Sequence, residues 1–209
     1  MSKDVFTRGN AVEELKKRYN EIVDNAKNYR DMTIQTIEVG GFMPMFLALR
    51  LPFGKAPRVK GASDFFMEGE TVNYGGLVTP HPKDIELLQR LIKNGDEHAK
   101  VMRGVVAWAK ITAPVFWWCE AECYRAGHER LCSESTMHTD CRGLVGEELQ
   151  KAKGEIPMGR ELTKIDMFSY QALRNICRQR ANHRLPEWRE FCRWLETLPH
   201  SEWITRKES

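Results

Sequence analysis

DEHAKVMRGVVAWAKITAPVFWWCEAECYRAGHERLCSESTMHTDC, residues 96–141, is the stretch whose reading decides the fold. It holds four of the six cysteines, three of the six histidines and three of the six tryptophans of a 209-residue chain. Its first half is apolar and its second half polar, so core and chemistry are both built around it. Residues 101–111 alternate, with Val105, Ala107, Ala109 and Ile111 on one side and Val106, Trp108 and Lys110 on the other, which reads as a strand. The run from Thr112 to Pro114 interrupts it, and residues 115–125 suit a buried helix that carries Glu120 and Glu122.

Upstream, residues 10–30 place Val12, Leu15, Tyr19, Ile22, Val23 and Ala26 at steps of three and four with charges between them, the pattern of an amphipathic helix. Residues 33–39 alternate β-branched and polar residues before Gly40 and Gly41 and read as a strand. The segment 45–51 fits either a second strand or a buried helical turn. Residues 54–82 are rich in Gly and Pro and read as a long loop system with a short strand at 71–74, and long loops in compact domains tend to carry function. A helix is expected from Pro82 to Lys93, stopped by Asn94 and Gly95. Downstream, residues 133–153 read as a polar loop followed by a helix near 147–153, and two further helices are expected at 169–177 and 186–195. These elements give an α+β fold, one small central β-sheet flanked on both sides by helices, with residues 1–209 as a single domain.

The totals exclude several classes. Apolar residues make up 42% and charged residues 29%, as in globular proteins rather than disordered or fibrous ones. A net charge of +3 lacks the strong basic excess of a nucleic-acid binder. The first residues do not have the pattern of a signal peptide, and no segment approaches the roughly 18 apolar residues of a membrane span. The expectation is a cytoplasmic protein that meets neither membrane nor nucleic acid, with its cysteines as thiols rather than disulfides.

Three groups of residues could carry chemistry. Cys119, Cys123, His128, Cys132, His138 and Cys141 are closely spaced thiols and imidazoles, but without the short doublets typical of zinc sites. Cys119 and Cys123 read instead as small core residues on the Trp117–Trp118 helix. Arg125, Arg130, Ser133, Ser135 and Thr136 form one cluster, and Arg178, Arg180, His183 and Arg184 a second. Guanidinium forks and hydroxyls suit phosphate oxygens, so the two clusters form one anion site if the fold joins them, and solvated polar faces if it does not. His98, beside Asp96 and Glu97, is placed either for proton transfer or as a surface capping residue.

Taken in order, these features resemble the flavin-dependent thymidylate synthases. The loop histidine of that family falls on His98 and its following proline on Pro114. The R-H-R triplet that opens its R-H-R-x-x-S-x-N-E-x-S-x-R motif falls on Cys123, Tyr124 and Arg125, and the motif's last serine on Ser133 or Ser135. Ile156-Pro157 is similar to the family's L-P step, with Lys153 where an upstream phosphate-binding arginine stands. The late arginine falls on Arg180 and the acidic residue after it on Glu187. Trp117 to Glu120, Ser135 to His138 and His183 to Cys192 look like a divergent phage and prophage branch.

The resemblance implies reductive methylation of dUMP at C5, with methylenetetrahydrofolate as carbon donor, reduced FAD as hydride source and NADPH as reductant, in a homotetramer whose sites span subunits. It makes 83–205 a nucleotide-binding core. It gives catalytic roles to His98 and Ser133, nucleotide-phosphate binding to Arg180, Lys153, Ser135 and Arg178, and flavin contacts to His98 and Arg125. Two members of the triplet are replaced by Cys123 and Tyr124, and the asparagine-glutamate pair is absent. A nucleotide-binding or protein-binding module that has lost flavin chemistry is therefore the alternative on the same fold, with a zinc-binding module as a third reading.

Overall fold

Strand β2 (Val106–Pro114) turns Ala107, Ala109, Ile111 and Ala113 to one face, where all four are fully buried, while Trp108 and Thr112 are half-buried and Lys110 exposed on the other. It lies in an antiparallel four-stranded sheet of order β1-β2-β4-β3, with β1 at Thr33–Gly40, β3 at His128–Ser133 and β4 at Glu161–Ser169. The computed structural model describes residues 32–53 and 82–205, all within one unit spanning Met32–Ser209.

Seven helices are described: α1 (Phe42–Arg50), α2 (Pro82–Lys93), α3 (Val115–Ala121), α4 (Gly146–Glu155), α5 (Tyr170–Arg180), α6 (Pro186–Glu196) and α7 (Glu202–Thr205). The alanines of β2 are small enough to admit large rings. Trp117 and Trp118 of α3 and Trp188, Phe191 and Trp194 of α6 are buried over this face. Trp117 lies 4.9 Å from both Trp118 and Trp188, and Phe191 lies 5.7 Å from Phe168 of β4. Such aromatic pairs contribute about 0.5–1.5 kcal/mol each beyond the area they bury. Indole N–H groups pin the layers as well: Trp118 donates to the Leu162 carbonyl at 3.0 Å and Trp194 to Thr36 Oγ1 at 2.9 Å.

The α+β class and the central sheet stand as the sequence suggests, and several elements differ. Residues 45–51 are helical: Phe42, Met45, Phe46 and Leu49 are buried at helical spacing, and Pro44 sits in the first turn where its missing N–H costs nothing. The strand expected at 101–111 begins only at Val106, because Lys100–Gly104 winds into a 3-10 turn that buries Met102, and it continues through Thr112 to Pro114 by pairing with Glu161–Ser169. The helix expected at 115–125 stops at Ala121, that expected from Pro82 to Lys93 is found with those bounds, and the helices expected at 147–153, 169–177 and 186–195 shift by a few residues at their ends. Strands β3 and β4 were not expected, and among the described residues the buried positions of β2 and β4 share one face rather than two. The helix read at 10–30 and the loop and strand read within 54–81 lie outside the described residues.

Gly41, the residue before α1, has φ +91°, and a Cβ there would lie 1.9 Å from the Gly104 carbonyl oxygen. Neither backbone can yield cheaply. Gly41→Ala is expected to cost about 3 kcal/mol through strain and overpacking, lowering Tm by roughly 10 °C for a domain of this size; a thermal melt within about 2 °C of wild type would show that the turn relaxes instead.

Candidate functional site

Strand β4 ends at Ser169, whose side chain caps α5 by accepting from the Ala172 N–H at 3.2 Å. Its own N–H donates to the Gly127 carbonyl at 2.7 Å. Gly127 has φ +75°, and a Cβ on it would lie 2.3 Å from Ser169 Oγ, so only glycine lets the loop between α3 and β3 approach the helix start. The same loop is held on its other side by His128. This side chain, 6% exposed, stacks on Phe168 at 4.3 Å, with Nε2 2.7 Å from Asp166 Oδ2 and Nδ1 3.1 Å from the Tyr124 carbonyl. A carbonyl only accepts, so Nδ1 carries a proton, and the contact between Nε2 and Asp166 must hold a second one between them. Asp166 Oδ1 is buried without a hydrogen-bond partner among the described residues.

The loop tethered in this way faces α5 across a cleft of about 340 Å³, with Cys123, Tyr124, Arg125 and Ala126 on one wall and Ala172, Asn175, Gln179 and Arg180 on the other. Arg180 reaches across it. Its Nε donates to the Tyr124 hydroxyl at 2.7 Å, and its Nη1 donates to Glu120 Oε2 at 3.0 Å and meets His183 Nε2 at 2.8 Å. The guanidinium lies 4.6 Å over the Trp188 ring, and Trp188 Nε1 donates to the same Glu120 oxygen at 2.9 Å. Arg180 is thus oriented and largely neutralised within its own chain. Arg125 is exposed and has no ion-pair or hydrogen-bond partner among the described residues.

The fold joins one member of each arginine cluster, Arg125 and Arg180, in this cleft, and places the others elsewhere. Arg178 binds Asp96 Oδ1 and Oδ2 at 3.3 and 3.1 Å, and His98 sits exposed on the turn two residues further on, 3.7 Å from Glu97. Arg130 pairs with Glu122, which Lys164 also holds at 2.7 Å from its place over the Trp118 ring. The hydrogen bond from Lys164 is the main cause that lowers the Glu122 pKa, with Arg130 adding to it.

Ser133, Ser135 and Lys153 belong to a separate polar strap beyond β3. Ser133 Oγ donates to the Glu134 carbonyl, Ser135 Oγ accepts from the Met137 N–H, and Lys153 Nζ donates to Thr136 Oγ1. Arg160 closes the strap by binding Glu134 and Asp140, each at 2.9 Å. Its cation is spent on two carboxylates. Cys119 and Cys123, read from sequence as core residues, are exposed: α3 turns Trp117, Trp118 and Ala121 inward, and the cysteines face away. No grouping of three or more His, Cys, Asp or Glu side chains suited to a metal occurs among the described residues, and no described helix is long and apolar enough to cross a membrane.

Sequence reasoning did not single out Asn175, Gln179, Asp166 or Trp188. The four-residue spacing of Asn175 and Gln179 ahead of Arg180 is a signal that was there to be read. Asp166 had none, because a lone acid in an apolar segment gains meaning only from its partner across the sheet.

The strap yields a prediction on pH. Hydrogen bonds from Arg160, then Thr139, hold the Asp140 carboxyl down to about 2 from its ordinary 3.8, and Arg160 also lowers Glu134. A depressed carboxyl stabilises the fold above its unfolded pKa and ceases to do so as the pH falls through its folded pKa. Between about pH 4 and pH 2 the wild type should therefore lose this contribution. Arg160→Gln should flatten that part of the profile, as read by urea midpoints at several pH values; parallel acid limbs in the two proteins would remove Arg160 as the cause.

Solved structures that share this architecture include the following three. The thymidylate synthase X of Helicobacter pylori, solved with FAD and dUMP, aligns at a TM-score of 0.61 with 12% identity, over 85% of this chain and 98% of its own. A second complex of the Helicobacter pylori flavin-dependent enzyme with FAD and dUMP aligns at 0.58 with 12% identity, over 84% and 98%. The UMP/dUMP methylase PolB of Streptomyces cacaoi, bound to 5-bromo-dUMP, aligns at 0.53 with 11% identity, over 80% and 89%. No family model matches the sequence, and no curated protein matches it by sequence. At these identities the likeness is one of fold: the chain has the fold of the flavin-dependent thymidylate synthase and of the UMP/dUMP methylase.

Proposed function

We propose that the cleft between the 123–126 loop and α5 binds a pyrimidine nucleoside monophosphate of the uridine type, with dUMP as the first candidate. The observation that carries this reading is the convergence of Arg125 and Arg180 on one cleft. Arg125 brings an uncompensated charge for a phosphate, while Arg180, already paired with Glu120, brings directed N–H groups. A volume of about 340 Å³ lies at the small end of the range for ligand clefts and suits a mononucleotide. The fold is shared with proteins solved with dUMP and 5-bromo-dUMP, which supports the choice of base.

The pyrophosphate of FAD needs several cationic or N–H donors. Of the three positions that match the family's triplet, Cys123 directs its thiol at the Cys119 carbonyl and Tyr124 commits its hydroxyl to Gln179, leaving only Arg125. Within one chain these residues do not fit a flavin pyrophosphate. A second reading keeps the family's chemistry, reductive methylation of dUMP at C5 with methylenetetrahydrofolate and NADPH, and is favoured by the fold shared with a UMP/dUMP methylase. It requires the missing donors to come from neighbouring subunits of a homotetramer. In that assembly Ser133, Ser135, Lys153, Arg178 and His98, which stand outside the cleft, would serve a neighbour's site.

Titration calorimetry with dUMP tests the main reading. Micromolar to millimolar binding is expected, and Arg125→Ala should weaken it roughly ten- to a hundredfold, the equivalent of one charge-assisted hydrogen bond. Absence of any dUMP binding by the wild type removes the proposal. A visible absorption band after mixing with FAD, shifting when dUMP is added, would move the assignment to the methylation reading.

A further inference from the structure

The cleft carries a hydrogen-bond relay whose direction is fixed by its first member. Arg180 Nε can only donate, and it donates to the Tyr124 oxygen at 2.7 Å. The single hydroxyl proton of Tyr124 is then free to go onward, and it goes to Gln179 Oε1 at 3.1 Å. With its oxygen so engaged, Gln179 turns its amide nitrogen to Asn175 Oδ1 at 2.9 Å. The orientation of both carboxamides follows from this sequence of donors, although oxygen and nitrogen alone would look alike at such sites. Asn175, which lines the cleft, is left with both hydrogens of its amide Nδ2 uncommitted.

Uncommitted side-chain donors gather around the cleft: Asn175 Nδ2, the second hydrogen of Gln179 Nε2, Arg180 Nη2 and the Arg125 guanidinium. From this we infer that Asn175, backed by Gln179, reads the 4-position of the pyrimidine and selects a 2,4-dione over a 4-aminopyrimidine. The O4 of uracil accepts from Asn175, whereas the N4 amino group of cytosine would meet it donor to donor. An unmet polar contact of this kind is penalised more than a merely absent one. Selectivity thus resides in a neutral residue on α5, and the charge of Arg125 supplies attraction to any phosphate. This assignment rests on the nucleotide reading of the cleft and adds the base that it accepts.

Parallel calorimetric titrations of the full chain with dUMP, dCMP and riboflavin 5′-phosphate, whose ring carries the same dione edge, provide the test. Wild type should bind dUMP about tenfold or more tightly than dCMP, the difference expected for one lost hydrogen bond. Asn175→Ala should bring the ratio toward one. Asn175→Asp, which presents acceptors in place of donors, should reverse it. The added charge opposes both phosphates alike, so the ratio is the readout, and Asn175 is exposed, so both variants are expected to keep the wild-type Tm. Equal binding of dUMP and dCMP by wild type, or a ratio unchanged in both variants, overturns the role of Asn175 while the nucleotide reading survives. Binding of riboflavin 5′-phosphate but not dUMP, abolished by Asn175→Asp, keeps the dione reading and overturns the nucleotide one. Binding of none of the three overturns both.

Discussion

The antiparallel pairing of β2 with β4 is the constraint on which the rest depends. Nine residue pairs, from Val106 with Ser169 to Pro114 with Glu161, set Ala107, Ala109 and Ala113 opposite Phe168, Asp166 and Leu162. Because three of the four inward β2 side chains are methyl groups, the rings of α3 and α6 reach the sheet directly, and indoles and phenyls fill the layer above it. The same ladder fixes where chemistry can occur. Its first pair, Val106 with Ser169, puts Ser169 at the start of α5, and the neighbouring Tyr170 N–H bonds the Val105 carbonyl at 2.9 Å, so the helix leaves the sheet at a defined point. A cleft formed by that helix and a loop bonded to Ser169 inherits its geometry from the ladder.

Much of this was legible in the sequence because β2 and the helices obey simple periodicities. Strand β4 does not. Its inward positions include Lys164 and Asp166, which invert the pattern of a half-buried strand, and they are tolerated because Glu122 and His128 complete them from other elements. No local rule anticipates a buried lysine whose partner lies beyond the end of a preceding helix. Strand β3 was hidden for a different reason: it is an edge strand, largely exposed and bulged between Arg130 and Cys132, so it lacks an apolar face to betray it. Residues 45–51 held both periods at once, and burial of Met45, Phe46 and Leu49 decided for the helix.

The site was legible to the extent that it was built from charge. Two arginine clusters were visible, and the sheet brings Arg125 and Arg180 together, but sequence could not tell which cations would remain uncommitted. Arg160, Arg130 and Arg178 are as basic as Arg125 on paper. In the fold each of the three is tied to acids, Arg160 to Glu134 and Asp140, Arg130 to Glu122 and Arg178 to Asp96. Anion binding depends on that residual after internal pairing, which is a property of tertiary structure. The cysteines show the complementary case: a thiol beside two tryptophans looks like core, yet α3 is short and presents its second face to solvent.

The contrast between the two cleft arginines separates attraction from selection. Arg125 is exposed and uncompensated, so its pull on a phosphate is long-ranged and weakened by salt. Arg180 is held by Glu120, Tyr124 and the Trp188 ring before any ligand arrives, so it adds little net charge and instead sets the direction of every hydrogen bond downstream of it. Breaking that arrangement to present Arg180 as a free cation would strand Glu120 between a tryptophan N–H and solvent, a cost the ligand would have to offset. In the proposed nucleotide reading, a phosphate is therefore drawn toward Arg125, and the neutral edge of its base is left to face α5. The order of the two ends follows from which charge the protein has already neutralised.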